Sequence, residues 1–335
     1  MADIINILNT IRANGTQMYQ DRVPVATKEN LTSVASPLME YSVLQNEFLN
    51  ALVNRIGLTL IRNKTADNPL KILKQGSVPL GQDVQEIHTN PATAKTYNAQ
   101  STDLLAQTNP DVASAYHRLN RKDRYDVTIQ REQLHTAFTD WGKFEELITG
   151  IVNTLYSGNY IDEFILAKNL FASAISENKI VTATANAPTD EATAKKLVKQ
   201  MRQLFNNFSF PSSAFNSYAL SGGTGSPRMT WTPPEDIRLI IRSDVEAEID
   251  VEVLAKAFHL DYAKLLGQIL VVDNFGSAEN CMAVMMDKSY TQIYDNLFET
   301  AEFPNGSNLS WNYYLHVWQT YSVSPFANAV AILEA

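Results

Sequence analysis

A single cysteine, Cys281, stands in 335 residues. That excludes an intrachain disulfide and a thiolate metal cage, and it fits a reducing compartment. No apolar run reaches the length of a membrane span. The N-terminal MADIINILNTIRANG has no basic stretch ahead of its apolar positions. Neither a membrane anchor nor a secretory leader is expected. Bases are outnumbered by acids, for a net charge of -9, which opposes tight, general binding to nucleic acid. Catalytic patterns are missing too. There is no HExxH, and His88, His117, His135, His259 and His316 do not cluster in sequence. The glycine-rich SGGTGSP at 221–227 lacks the Lys-Ser/Thr of a phosphate loop and runs into proline instead of a helix. Cys281 has no assignable orienting base. The expectation is a chain that is no enzyme, with no catalytic residue, no cofactor and no metal site.

What is present is a folded composition, 45% apolar with 14 Tyr and 14 Phe. Ile4, Ile7, Leu8 and Ile11 share one side of a helix over 3–13. Ser36 before Pro37 reads as a cap and first helical residue, opening a helix to about Asn54. Tyr41, Leu44, Phe48 and Leu52 form its apolar stripe, and Gly57 stops it. Trp141, Phe144, Ile148, Ile151 and Leu155 recur at three and four residues, and Ser157-Gly158-Asn159 ends that helix. The next begins near Tyr160, capped by Asn159, with Asp162 and Glu163 early and Lys179 late, as the helix dipole favours. A third, Asp190–Asn206, buries Leu197, Val198, Met201, Leu204 and Phe205 and keeps Lys195, Lys196, Lys199 and Arg202 wet. Ser209–Pro234 reads as loop. From 237 onward IRLII, QILVVDNF, CMAVMMD, TQIYDNL and YYLHVWQTYSVS read as strands, with a short helix at Val253–Phe258 and with His316 and Cys281 as packed strand residues. The fold class is α+β.

Between the early helices lies a polar stretch, 58–133, divided by Pro69, Gly76, Pro79, Gly81, Pro91 and Pro110. Leu58–Arg62 and Tyr125–Gln130 are strand-like, and Thr93–Ala106 loosely helical. The whole reads as an extended hairpin with too few apolar residues for its own core. Its ordering entropy has to be offset by contacts elsewhere, and a neighbouring subunit supplies them. Charge placement agrees. Residues 55–76 hold five bases, Arg55, Arg62, Lys64, Lys71 and Lys74, against Asp67, whereas 235–302 hold 14 acids against 5 bases. The return half adds Arg118, Arg121 and Arg124. Asp244, Glu246, Glu248 and Asp250 alternate with apolar residues, so an extended segment would line them along one face. A basic arm and an acidic face attract copies of one chain. Ordinary solvated faces are the alternative, and a hard cation would want a dedicated loop that is absent here.

Long segments resemble a known family. LQNEFLNALVNRIGLTLIRNKTADNPLKILKQGSVPLG at 44–81, AFTDWGKFEELITGIVNTLYSGNYIDE at 137–163, LIIRSDVEAEIDVEVLAKAFHLD at 239–261 and WNYYLHVWQTYSVSPFANAVAI at 311–332 are similar, in order, to the shell proteins of small short-tailed phages of the phi29 group. The resemblance implies the Hong Kong 97-type major capsid fold. Its parts would fall at 1–57 (N-terminal arm and start of the peripheral domain), 58–133 (extended loop), 134–188 (peripheral domain with the spine helix), 189–310 (axial domain) and 311–335 (closing strands). It implies noncovalent self-assembly as pentamers and hexamers into an icosahedral or prolate head around double-stranded DNA. Arg55, Arg62, Lys71, Lys74, Arg118, Arg121 and Arg124 would pair with acids of a neighbour. Implied partners are a scaffolding protein, a portal at one vertex and, at most, nonspecific contact with packaged DNA, with no membrane. The place is the virion, after assembly in the bacterial cytoplasm. No lysine–asparagine crosslink is expected. Some members append an immunoglobulin-like domain; with the sequence ending at Ala335, none is expected here. A ring-forming portal protein, or an oligomeric enzyme, is the competing expectation.

Overall fold

The computed structural model describes residues 2–27, 29–48, 51, 68–97, 107–133, 150, 153–249 and 268–335. Among the described residues its helices include α1 (Ala2–Asn14), α2 (Gln17–Arg22), α3 (Leu31–Glu40), α4 (Gly158–Ser176), α5 (Glu191–Phe208) and α6 (Ser243–Glu248). Its strands are β1 (Lys74–Ser77), β2 (Val84–Thr89), β3 (Val112–His117), β4 (Arg121–Gln130), β5 (Val181–Ala185), β6 (Ile237–Arg242), β7 (Ile269–Val272), β8 (Cys281–Asp287), β9 (Thr291–Asn305), β10 (Ser310–Val323) and β11 (Ala329–Glu334). The chain divides into two units. The first gathers Met1–Asn68, Arg121–Glu163 and Leu297–Trp318, and the second Pro69–Asn120, Phe164–Asn296 and Gln319–Ala335.

In the first unit, Ile7, Leu8 and Ile11 of α1 are buried as their spacing requires. They join Tyr19, Val34, Leu38, Leu44, Phe48, Ile129 of β4, and Trp311, Tyr313, Leu315 and Val317 of β10 in one core. The alternation along β10 buries one face. His316 lies on the other, half-buried face of the strand with its ring 6.5 Å from Tyr314. The joint between α1 and α2 is held by Arg12, which donates to the carbonyls of Val23 and Gln20 at 2.7 Å each. Those are end-of-helix acceptors that need such a donor.

The helix expected from Ser36 instead begins at Leu31 and carries Pro37 inside it. Asn30 starts it by folding the preceding loop back: its side chain accepts from the Thr27 amide and donates to the Val25 carbonyl, both at 2.7 Å. Pro37 has no N–H for the preceding turn, and the chain breaks at Tyr41 (φ -113, ψ 110) before residues 42–48 turn helical again. Leu52, the helix residues 141–149, and the strand-like 58–62 lie outside the described residues, as does the short helix at 253–258.

In the second unit a five-stranded sheet has the order β5-β11-β8-β6-β7. β11 runs parallel to β5 and antiparallel to β8, and β6 antiparallel to β8 and parallel to β7. β8 is apolar at every position from Cys281 to Met286 because both faces are covered. Ala167, Phe171 and Ala174 of α4 pack with Cys281, Val284 and Met286. Leu197, Val198, Met201, Phe205 and Phe208 of α5 pack with Met282, Ala283 and Met285. Two consecutive residues, Met282 and Ala283, join the α5 side because the register slips between Ile332 and Leu333. Asp190 and Thr193 form the reciprocal cap that starts α5.

The acidic segment is a correction. Residues 243–248 form the helical turn α6, not a strand. At 100° per residue Asp244 and Glu248 share a side while Glu246 points elsewhere. Arg242 drives this by donating to Asp244 at 2.6 Å and to the Glu279 carbonyl at 2.7 Å, with Val245 buried beneath. Asp250 lies outside the described residues.

Candidate functional site

Strands β2 and β3 form an antiparallel hairpin with Val84 opposite His117 and Thr89 opposite Val112. Period two gives it two unlike faces. Val84, Glu86, His88, Ala113, Ala115 and His117 turn inward and are partly or fully buried. Gln85, Ile87, Thr89, Val112, Ser114 and Tyr116 turn outward and are exposed. The outer face carries no charge. Its three large apolar side chains, Ile87, Val112 and Tyr116, are each more than half exposed.

The inner face is fastened to the hairpin's own unit along its length. Near one end, the Glu86 carboxylate accepts from Ser324 Oγ at 2.7 Å and faces His117 Nε2 at 3.1 Å, while His117 Nδ1 meets Ser322 Oγ at 2.8 Å. Toward the other end, the His88 ring stacks on Phe326 with centroids 5.4 Å apart. Phe326 stacks in turn on Tyr218 at 5.6 Å, and the Arg228 guanidinium lies over Tyr218 at 4.8 Å. Arg228 then reaches back to the hairpin, donating to the Asp111 carboxylate at 3.0 Å and to its carbonyl at 3.1 Å. Asn90 completes the closure. Its amide donates to Asp111 Oδ2 at 2.8 Å and to the Pro227 carbonyl at 3.1 Å, and its oxygen accepts from the Met229 amide at 3.1 Å. The hydrogen bond from Asn90, joined by the pairing with Arg228, holds the Asp111 carboxyl below its usual range. Burial, then the charge of Arg228, pushes the His88 pKa below its ordinary 6.5.

The basic residues picked from sequence fall into different situations. Lys71 is exposed in the short 3-10 turn Pro69–Leu73. Lys74 is half-buried and pairs with Asp295 of its own chain at 3.0 Å. Arg118 and Asp83 form an exposed pair at 3.1 Å. Arg121 is buried in the first unit, donating to Asp123 and to the Tyr125 hydroxyl at 2.6 Å each, and to Asn159 at 3.2 Å. Arg124 is exposed, its guanidinium 5.0 Å from the Tyr314 ring centroid. Arg55 and Arg62 lie outside the described residues. Lys74, Arg118 and Arg121 therefore already have acidic partners within the chain. Of the acids, Asp244 is held by Arg242, which lowers its pKa; Glu246 is half-buried and Glu248 exposed. No group of three His, Cys, Asp or Glu suited to a metal ion occurs among the described residues, and no described helix is long and apolar enough to cross a membrane.

A family model for the phi29-like phage major capsid protein matches residues 8–333. The chain belongs to this family. The major capsid protein of Bacillus phage PZA is 37% identical over 98% of this chain and 72% of its own length. That of Streptococcus phage Cp-1 is 30% identical over 97% of this chain and 92% of its own. Among solved structures, a chain from the capsid of Staphylococcus phage Andhra superposes with a TM-score of 0.66 at 15% identity, covering 83% of this chain and 87% of that one. A chain from a bacteriophage P68 structure of the head fiber and inner core protein gp22 gives 0.63 at 13%, with the same coverages. These two matches carry the fold, which is the mixed α+β Hong Kong 97-type architecture. As a phage major capsid protein the chain is a structural protein that builds the virion shell from copies of itself.

What sequence reasoning missed is the inner face of the hairpin. His88, Tyr218, Arg228 and Phe326 come from three separate stretches of chain, so no local spacing joins them. The hairpin itself left a signal in the alternation of VQEIHT and VASAYH.

Proposed function

We propose that the β2–β3 hairpin is the part of this shell protein that engages the next copy, and that its outer face makes the contact. The observation carrying this reading is the uncharged, exposed row of Ile87, Val112 and Tyr116 on a hairpin whose inner face is already occupied. Apolar and aromatic side chains freed from charge form the cores of protein interfaces. Exposed pairs such as Arg118–Asp83 are each worth only about 0.2–1 kcal/mol, so the exposed cations Lys71, Arg118 and Arg124 steer and register neighbours more than they hold them. Arg55 and Arg62, with Glu246, Glu248 and Asp250, belong to the same reading as complementary rims.

On this reading the shell grows without covalent links, as pentamers and hexamers closing an icosahedral or prolate head around double-stranded DNA. A scaffolding protein guides assembly in the bacterial cytoplasm, and a portal occupies one vertex. Contact with DNA is nonspecific, and no residue acts as a catalyst.

The test is Ile87→Asp with Tyr116→Asp, compared with the unchanged chain by electron microscopy and sedimentation. The expected outcome is a folded subunit that no longer closes into shells, because two carboxylates would have to be desolvated in the contact. Shells that form in normal yield, with the hairpin's outer face still wet, would overturn the reading.

A further inference from the structure

The stack on the inner face has an unusual closure. It leaves the hairpin at His88, passes through Phe326, Tyr218 and Arg228, and returns to the hairpin at Asp111. Both feet of this column stand on the hairpin, while its middle stands on the segments that hold 218–228 and 326. The column therefore fixes the hairpin's tilt as well as its position. A permanent cation, Arg228, forms one end layer, and an ionisable ring, His88, forms the other.

We propose that this column is a proton-operated clamp, in which neutral His88 keeps the hairpin seated and charged His88 frees it to swing. The proposal rests on reading the hairpin as the element that meets the next copy. The groups acting on the His88 ring are Arg228, which disfavours its charge, and the Met229 backbone, Glu86 and Asp111, which favour it. Glu86 is partly engaged by Ser324 and His117, and Asp111 by Arg228 and Asn90, so neither acid is left wholly to neutralise the imidazolium. The sign follows from the seat. Because burial and Arg228 disfavour the charged ring there, a released hairpin takes up the proton first. The seated state is at full strength above the ordinary histidine value of 6.5 and weakens as pH falls below it. Acidification shifts the population toward the released hairpin in proportion to that difference. Conditions that raise the pH would lock it.

The experiment is amide exchange on the full chain kept unassembled, at pH 7.5 and 5.5, with labelling times scaled to intrinsic rates. The Met229 amide, which donates to Asn90 at the hairpin's end and is freed when the hairpin leaves its seat, should lose protection about two- to tenfold at the lower pH, the range that loss of one stacked ring pair would give. His88→Phe keeps an aromatic layer without a proton site, so its Met229 protection should be the same at both pH values. Exchange in α5 and β8 reports whether the variant is folded. Should the variant fail to fold, the His88 ring resonance of the unchanged chain gives a second reading, expected to titrate below 6.5. Unchanged Met229 protection at pH 5.5, an equal pH response in His88→Phe, or a His88 titration at or above 6.5 would each overturn the clamp. Because the chain is unassembled, these outcomes stand apart from those of the shell-closure assay.

Discussion

Arg118 and Arg121 are three residues apart and look interchangeable in the sequence, yet the fold gives them opposite fates. The Arg118 side chain is 74% exposed and faces an Asp83 that is itself 46% exposed. Replacing it with alanine should change subunit stability by no more than about 1 kcal/mol. The Arg121 side chain is 5% exposed. It bonds Asp123, Tyr125 and Asn159, while Tyr125 donates onward to Asp162 at 2.6 Å and Asn159 to Glu163 at 3.2 Å. Removing the cation leaves the oxygen of a buried Asn159 without this donor, a loss of about 1–3 kcal/mol. It also leaves Asp123 without its counter-charge and loosens the bonds that run on through Tyr125 to Asp162 and through Asn159 to Glu163. Breaking a buried charge network by deleting one partner costs roughly 3–5 kcal/mol. Asp123 is 45% exposed and can rehydrate, which places Arg121→Ala toward the lower end, about 3 kcal/mol. Urea unfolding of the unassembled subunit, fitted with a common slope, measures both. Equal effects from the two variants, or an Arg121→Ala loss below about 1 kcal/mol, would refute the reasoning.

Gly276 has φ +63, and a Cβ there would sit 2.1 Å from Asn169 Oδ1. The Asn169 amide is the end of an exposed side chain and can turn aside, so Gly276→Ala should cost roughly the 1–3 kcal/mol of backbone strain. Adding Asn169→Ala should leave that loss nearly unchanged, as thermal unfolding of the pair would reveal. The Cys281 thiol is pushed up to about 12 by burial. Since the thiolate is the reactive form, it should resist alkylation at pH 8 in the folded chain and react fully in denaturant. Prompt labelling of the native protein would contradict its burial beneath α4.

Much of the fold was legible where one surface decides a segment. α1 and α5 carry their apolar residues at helical spacing, and the Asp190–Thr193 cap marks where α5 starts. The apolar runs of β6 and β8 announce strands buried on both faces. The errors came where a side chain overrode a pattern. Arg242 captured Asp244 and wound a segment whose alternation suggested a strand. Asn30 began α3 before the more obvious Ser36-Pro37. Site residues were less legible than elements, because charge in a sequence does not say whether its partner lies in the same chain. Lys74 found Asp295, 221 positions away. The clamp was hidden for the same reason, being assembled from residues that only the folded chain brings together.

Strand β11 lies inside its sheet, with β5 on one side and β8 on the other. Until residues 329–334 have been synthesised and placed, those two strands face an empty slot and keep unpaired edges. A nascent or truncated chain thus offers sticky ribbon edges in place of a finished surface. A protein that must meet many copies of itself relies on this late-made strand to withdraw those edges. Maturity of the subunit is thereby tied to completion of translation through that segment, and copies cut short before it are the ones expected to aggregate.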